Sequence, residues 1–151
     1  MTEIRFYHLQ RQSVEQALPA LLKKALDGGH KIMVHGRDSK HISNLDKHLW
    51  TYHPDSFLPH GTENDPDPER QPILLTTQTS APNQASVRIE LAELDAENPG
   101  SESLICLMFE DWDEKTKASA RDAWKALKDK DGQYSLSYWQ QSESSGWEQK
   151  A

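Results

Sequence analysis

The hydrophobic period of this chain switches repeatedly near its start, and that switching restricts the available folds more than any other feature. "IRFYHL" (4–9) alternates aliphatic and aromatic residues and reads as a strand. In "SVEQALPALLKKALDGG", Val14, Leu18, Leu21, Leu22, Ala25 and Leu26 fall on one helical face, and Gly28-Gly29 stops the helix. "KIMVHG" (31–36) is a second strand. "RDSKHISNLDKHLWTYHP" then offers Asp38 or Ser39 as N-cap, an apolar series Ile42, Leu45, Leu49, and Pro54 as terminator. Strand, helix, strand, helix predicts βαβ units and an α/β sheet sandwiched by helices. Pro19 leaves two options for the first helix: it begins near Leu18 with the proline in its first turn, or it is kinked there.

Further along, "DSFLPHG" is a short extended piece and the acidic, proline-rich 62–72 is expected to be an exposed loop. Strands are expected at 73–77, 86–92, 104–110 and 133–140, with polar loops around Pro82 and over 95–103. "DWDEKTKASARDAWKALKDKDG" is a capped helix whose early acids and late lysines suit the macrodipole. A length of 151 residues fits one domain, expected over 1–141, with the polar 142–151 as a flexible tail.

Charge narrows the function classes. The formal net charge is −7 and the pI about 5.4, so the mean field repels polyanions and tight direct binding of nucleic acid is not expected. An anionic partner must be held by a local cluster of cations. No apolar run approaches the ~20 residues of a membrane span, and "MTEIRFYHLQ" lacks the basic-then-apolar layout of a secretory signal. Cys106 is the only cysteine, which rules out an intrachain disulfide. The expectation is a soluble, cytoplasmic protein.

Signs of catalysis are weak. His41 and His48 lie two helical turns apart, too far along the axis to share one ion, and neither HExxH nor CxxC occurs. "VHGRDS" could cradle a phosphate, yet one glycine is not a dinucleotide fingerprint, and a capped helix start is the simpler reading. Cys106 sits mid-strand among apolar neighbours, as a core residue would. The expectation is a non-enzyme with no cofactor and no metal.

The helix at 113–130 stands apart. At 100° per residue with Ala120 as zero, Ala123 and Leu127 lie within about 60° and form the packing face. On the same wheel Trp124 falls near ~40°, Lys117 ~60°, Lys128 ~80°, Arg121 ~100° and Lys125 ~140°. Cations and one indole therefore share an arc beside the core face. Charge alone would make this a solvated lysine-rich face, but tryptophan with arginine is the composition of binding hot spots. Such an arc suits a short acidic peptide ending in an aromatic residue.

A second surface candidate is "LWTYHPDSFLPHG", where Trp50, Tyr52 and Phe57 crowd a helix end and the segment after it, with prolines at 54 and 59. These aromatics are either satellite core or an anchor patch for a partner.

Three stretches carry a family resemblance: "FYHL" (6–9), "LDKHLWTYHPDSFLPHG" (45–61), and "ARDAWKALK" followed by a short C-terminal strand. In matching order from about residue 4 to 140, they resemble the chi subunit of bacterial DNA polymerase III holoenzyme. The resemblance implies a Rossmann-like α/β fold and a non-catalytic adaptor. It implies pairing with the psi subunit, which connects chi to the clamp loader. It also implies binding of the acidic C-terminal tail of single-stranded DNA-binding protein, which ends in proline-phenylalanine. Family tail-binding positions fall on Arg121 and Lys125, with Trp124 where the family usually has tyrosine, and Lys117 and Lys128 on the same arc. The psi-facing aromatics fall on Trp50 and Phe57, a surface that some members also use for an accessory helicase. The alternative from another class is a nucleotide-binding α/β enzyme, which rests on fold analogy alone.

Overall fold

The computed structural model describes residues 2–51, 58–79, 82–97, 99–100, 102–130, 132–144 and 146–151. In these residues β1 (Thr2–Leu9), α1 (Val14–Asp27), β2 (Ile32–His35) and α2 (Ser39–Thr51) alternate as the periodicity predicts. After them come β3 (Gly61–Thr62), a single 3-10 turn (Pro68–Arg70), β4 (Ile73–Thr76), β5 (Val87–Glu90) and β6 (Leu104–Glu110). α3 (Glu114–Lys128), β7 (Tyr134–Gln141) and β8 (Trp147–Gln149) complete the order.

The strands form one eight-stranded sheet in the order β3-β4-β2-β5-β6-β1-β7-β8. Every pairing is parallel except β7 with β8. From β1 the chain crosses past β6 and β5 to reach β2, whereas from β6 it crosses past β1 in the other direction to reach β7. Right-handed crossovers taken in opposite directions put their helices on opposite faces. The two hydrophobic clusters follow that rule. Leu18 and Leu22 of α1 and Ile42, Leu45 and Leu49 of α2 pack on Tyr7, Leu9, Cys106 and Met108. Ala120, Ala123 and Leu127 of α3 pack on Ile4, Phe6, Ile105, Leu107 and Phe109. The period-2 alternation of β1 and β6 supplies both faces. This is a Rossmann-like α/β fold, as expected.

Pro19 lies inside α1, which starts well before it at Val14. A capping box explains that start: the Gln16 amide donates to Ser13 Oγ (3.2 Å), and the Ser13 amide donates to Gln16 Oε1 (2.9 Å). An interior proline costs about 3 kcal/mol, while fully burying Leu18 and Leu22 contributes about 1.5–3 kcal/mol each. Burial outweighs the break. Gly29, at φ +84°, takes the left-handed turn that ends the helix.

The polar 142–151 differs from the expected tail. It carries β8, paired antiparallel to β7 with Trp139 opposite Gln149 and Gln141 opposite Trp147. The anchor is Trp147, whose ring meets Tyr7 edge-on at 4.8 Å. β3 joins the end of the expected extended piece, Gly61, to the first residue of the expected loop, Thr62, and among the described residues it pairs with β4 alone.

Candidate functional site

α3 starts at Asp113, whose carboxylate accepts from the Thr116 amide at 3.2 Å. Ala120 and Ala123 are buried, and their small side chains let the helix lie close to the sheet. That approach tips Trp124 onto the edge of the core. Its ring meets Phe6 at 5.2 Å and Tyr138 at 5.8 Å, both edge-to-face, and Lys128 Nζ sits 5.3 Å from the ring centre. Trp124 is half-buried, while Arg121, Lys125 and Lys128 are exposed beside it.

Lys117 is set apart from these cations. Its side chain is only 16% exposed, with Nζ at 3.5 Å from Asp111 and 3.4 Å from Glu114, so its charge is already engaged. Arg121, Trp124, Lys125 and Lys128 therefore form the accessible set, with Lys117 tied down at its N-terminal end.

The facing wall comes from β7. Its alternation puts Tyr134, Leu136 and Tyr138 on the α3 side, half-buried against the same cluster. A groove of about 190 Å³ runs between helix and strand, lined by Leu127, Lys128, Lys130, Tyr134 and Leu136. Lys130 Nζ donates to the Ala96 carbonyl at 2.6 Å and closes one end. Burial raises the Tyr138 phenol above its ordinary value, opposed by the nearby Arg121 charge. Beneath Tyr138, His8 is buried and stacked on Phe109 at 4.8 Å. Its Nδ1 is 2.7 Å from the Tyr138 hydroxyl and its Nε2 2.8 Å from Asp111 Oδ1. A chain of contacts thus runs from Tyr138 through His8 and Asp111 to Lys117, holding the floor and the helix in register. His8 and the neighbouring cation Lys117 hold the Asp111 carboxyl below its ordinary value.

At the second surface, Trp50 is 52% exposed and its ring lies 4.3 Å from that of His60. His60 is itself fixed, with Nδ1 at 2.7 Å from the Leu58 carbonyl and Nε2 at 3.0 Å from Asp46 Oδ1. Phe57 lies outside the described residues, as does Tyr52.

The order of elements, the α3 groove and the Asp46–Trp50–His60 cluster coincide with the segments that carry the family resemblance. The family described as DNA polymerase III chi subunit, HolC, matches residues 1–135. The chain belongs to the DNA polymerase III chi subunit family. It is 33% identical over 95 residues to the probable DNA polymerase III subunit chi of Rickettsia prowazekii (strain Madrid E). That alignment covers 63% of this chain and 58% of the relative, so the chain spans little more than half the length of the curated protein it matches.

In this chi-family chain the position where an α/β nucleotide-binding fold places phosphate is filled from within. The topological switch lies between β1 and β6, whose following segments leave to opposite faces. There the Arg11 and Gln12 amides donate to Gln141 Oε1 (2.9 and 3.0 Å), and the Val14 amide donates to Glu110 Oε2 (3.1 Å). Glu110 is raised above the ordinary carboxyl value, mainly by burial. At the second turn, the His41 amide donates to Asp38 Oδ1 (2.8 Å) and the Arg37 amide to His41 Nδ1 (3.1 Å). Burial lowers the His41 imidazole, which suits its acceptor role. The turns after β1 and β2 are closed by two carboxylates, one side-chain amide and an imidazole of the chain itself. The "VHGRDS" turn is a capped helix start.

Tyr134, Leu136 and Lys130 line the groove and Tyr138 continues the same face of β7, and none of the four is among the site residues expected from the sequence. Their signal was present in "YSLSY", because strict alternation with aromatics at both ends marks one half-buried face.

Proposed function

We propose that this chi-family protein is a non-catalytic adaptor of the replicative DNA polymerase. In this reading it joins the clamp loader, through psi, to the acidic C-terminal tail of single-stranded DNA-binding protein. The tail's carboxylates pair with Arg121 and Lys125, and its terminal aromatic ring enters beside Trp124, over Tyr138 and Leu136. Lys128, held near the indole, adds positive potential without leaving the wall. Lys117 contributes mainly by fixing the start of the helix through Asp111. Psi docks on the Trp50 and Phe57 surface. In the same reading the protein acts in the cytoplasm and holds no nucleic acid tightly itself.

The observation that carries this reading is the meeting of exposed cations with an apolar floor on an otherwise acidic protein of net charge −7. A basic arc bordered by net negative charge discriminates a short acidic chain end from a long polyanion. At the turns after β1 and β2 the chain's own groups occupy the amides that the nucleotide-dependent alternative would use. The test is titration of a fluorescent acidic peptide ending in Pro-Phe. Arg121→Ala should weaken binding by about 1–3 kcal/mol, the range for a charge-assisted contact. Added salt should weaken it further, because exposed pairs are screened. Equal affinities for wild type and Arg121→Ala would remove the assignment.

A further inference from the structure

On the sheet face opposite α3, the C-terminal half of α1 stands off the strands and leaves a cavity of about 190 Å³. Its walls are apolar: Leu21 and Ala25 from α1, Val87 and Ile89 from β5, Leu104 and Cys106 from β6. The gap follows from side-chain size, since Ala25 above and Cys106 below meet where bulkier residues would close the layer. Burial pushes the Cys106 thiol up to about 12, so it is an inert, apolar part of the wall.

The mouth carries the Lys24 charge and an Arg5 guanidinium ion-paired with Glu3. Lys24 and Arg5 line it, with His30 alongside. Lys24 is exposed. Arg5 is fixed in place, with Nε 2.6 Å from Glu3 Oε2 and a terminal nitrogen 3.3 Å from the Tyr7 hydroxyl. A guanidinium carries five N–H donors, so these two contacts leave others for a ligand. His30 is held with Nδ1 2.9 Å from Ser86 Oγ.

Apolar walls below a pair of cations select an apolar body with one anionic end. Size defines the body: an apolar cavity of about 150 Å³ accommodates benzene. This one is somewhat larger, enough for one six-membered ring and a short arm. We propose that the cavity binds a small monocyclic arylalkyl carboxylate, ring inward against Ala25 and Cys106 and carboxylate between Lys24 and Arg5. The sheet separates this site from the α3 groove, so the two are independent.

The test uses 3-phenylpropionate as probe, titrated into the full-length isotopically labelled protein and followed by amide chemical shifts. Saturable shifts should be confined to residues 5–7, 21–30, 87–89 and 104–106, with a low-millimolar Kd or tighter. 3-Phenylpropanol, the same ring without the charge, should bind about tenfold more weakly. Lys24→Ala, an exposed change that leaves the fold intact, should bring the acid close to the alcohol and leave the alcohol unaffected. Ala25→Leu, which fills the cavity, should abolish both. No saturable shift, equal binding of acid and alcohol, or shifts confined to residues 121–128 and 134–138 would each overturn the proposal. The last outcome would assign the probe to the α3 groove, whose own test uses a different ligand and different variants.

Discussion

Trp124 packs on the core edge beside the exposed cations of α3, and its removal separates packing from recognition. A fully buried tryptophan replaced by alanine costs about 3–5 kcal/mol. Trp124 is only half-buried, which lowers the transfer part. It also loses two edge-to-face contacts, with Phe6 and Tyr138, each about 0.5–1.5 kcal/mol. The exposed Lys128 contact adds roughly 0.5 kcal/mol. Part of the ring–ring energy is already counted in the burial figure, so the expected loss for Trp124→Ala is about 2–3 kcal/mol. For a chain of this length each kcal/mol lowers Tm by about 2–4 °C, giving a drop of roughly 4–12 °C. Trp124→Phe keeps a ring against Phe6 and should lose about 1 kcal/mol. Lys125→Ala, one turn position away but exposed, should stay within ~0.5 kcal/mol of wild type. Urea melts with a common slope give the comparison. A loss below ~0.5 kcal/mol for Trp124→Ala would mean that the indole is not part of the core edge.

Other regions give independent checks. Ser13→Ala removes the capping box that starts α1 ahead of Pro19 and should cost about 1 kcal/mol in a urea melt; no loss would leave the start of α1 unexplained. Trp50→Ala should leave the melting temperature nearly unchanged while reducing co-purification with psi, whereas retained psi binding in a stable variant would take Trp50 off the proposed interface. His35 lies above its usual 6.5, chiefly through its hydrogen bond to the buried Glu90 carboxylate. Folding therefore favours the protonated ring. Its contribution is complete below about 6.5 and is lost as pH rises through the raised folded value. Stability of wild type relative to His35→Gln should fall as pH rises from 6.5 through the raised folded value; a flat difference would refute the pairing.

What could be read from the sequence was what periodicity encodes. The helices and the longer strands appear where apolar spacing puts them, and the wheel angles of Ala120, Ala123 and Leu127 match the buried face of α3. The short edge strands were illegible for a physical reason. β8 is a three-residue strand in which only Trp147 reaches the core, so its remaining positions are free to look like tail. The helix wheel could not separate Lys117 from the other cations either. Its angle is right, but Asp111 and Glu114 neutralise it, and Asp111 lies outside the helix that the wheel describes. Pro19 shows the converse. Local preference left a start near Leu18 or a kink at Pro19 open, and the burial of Leu18 and Leu22 with the Ser13 cap sets the start at Val14, ahead of the proline. The closed turn after β1 depends on Gln141 and Glu110, residues far from residues 11–14 in sequence, so no local pattern could reveal it.

The most direct measurement of the proposed function is where an acidic tail lands. An acidic peptide ending in Pro-Phe, titrated into the isotopically labelled protein, should shift amides at residues 121–128 and 134–138 together and in proportion. The Trp50 region and the cavity under α1 should stay unmoved, and Arg121→Ala with Lys125→Ala combined should erase the response. Saturable shifts elsewhere with residues 121–138 silent, or an unchanged response in the double variant, would contradict the assignment of the groove between α3 and β7.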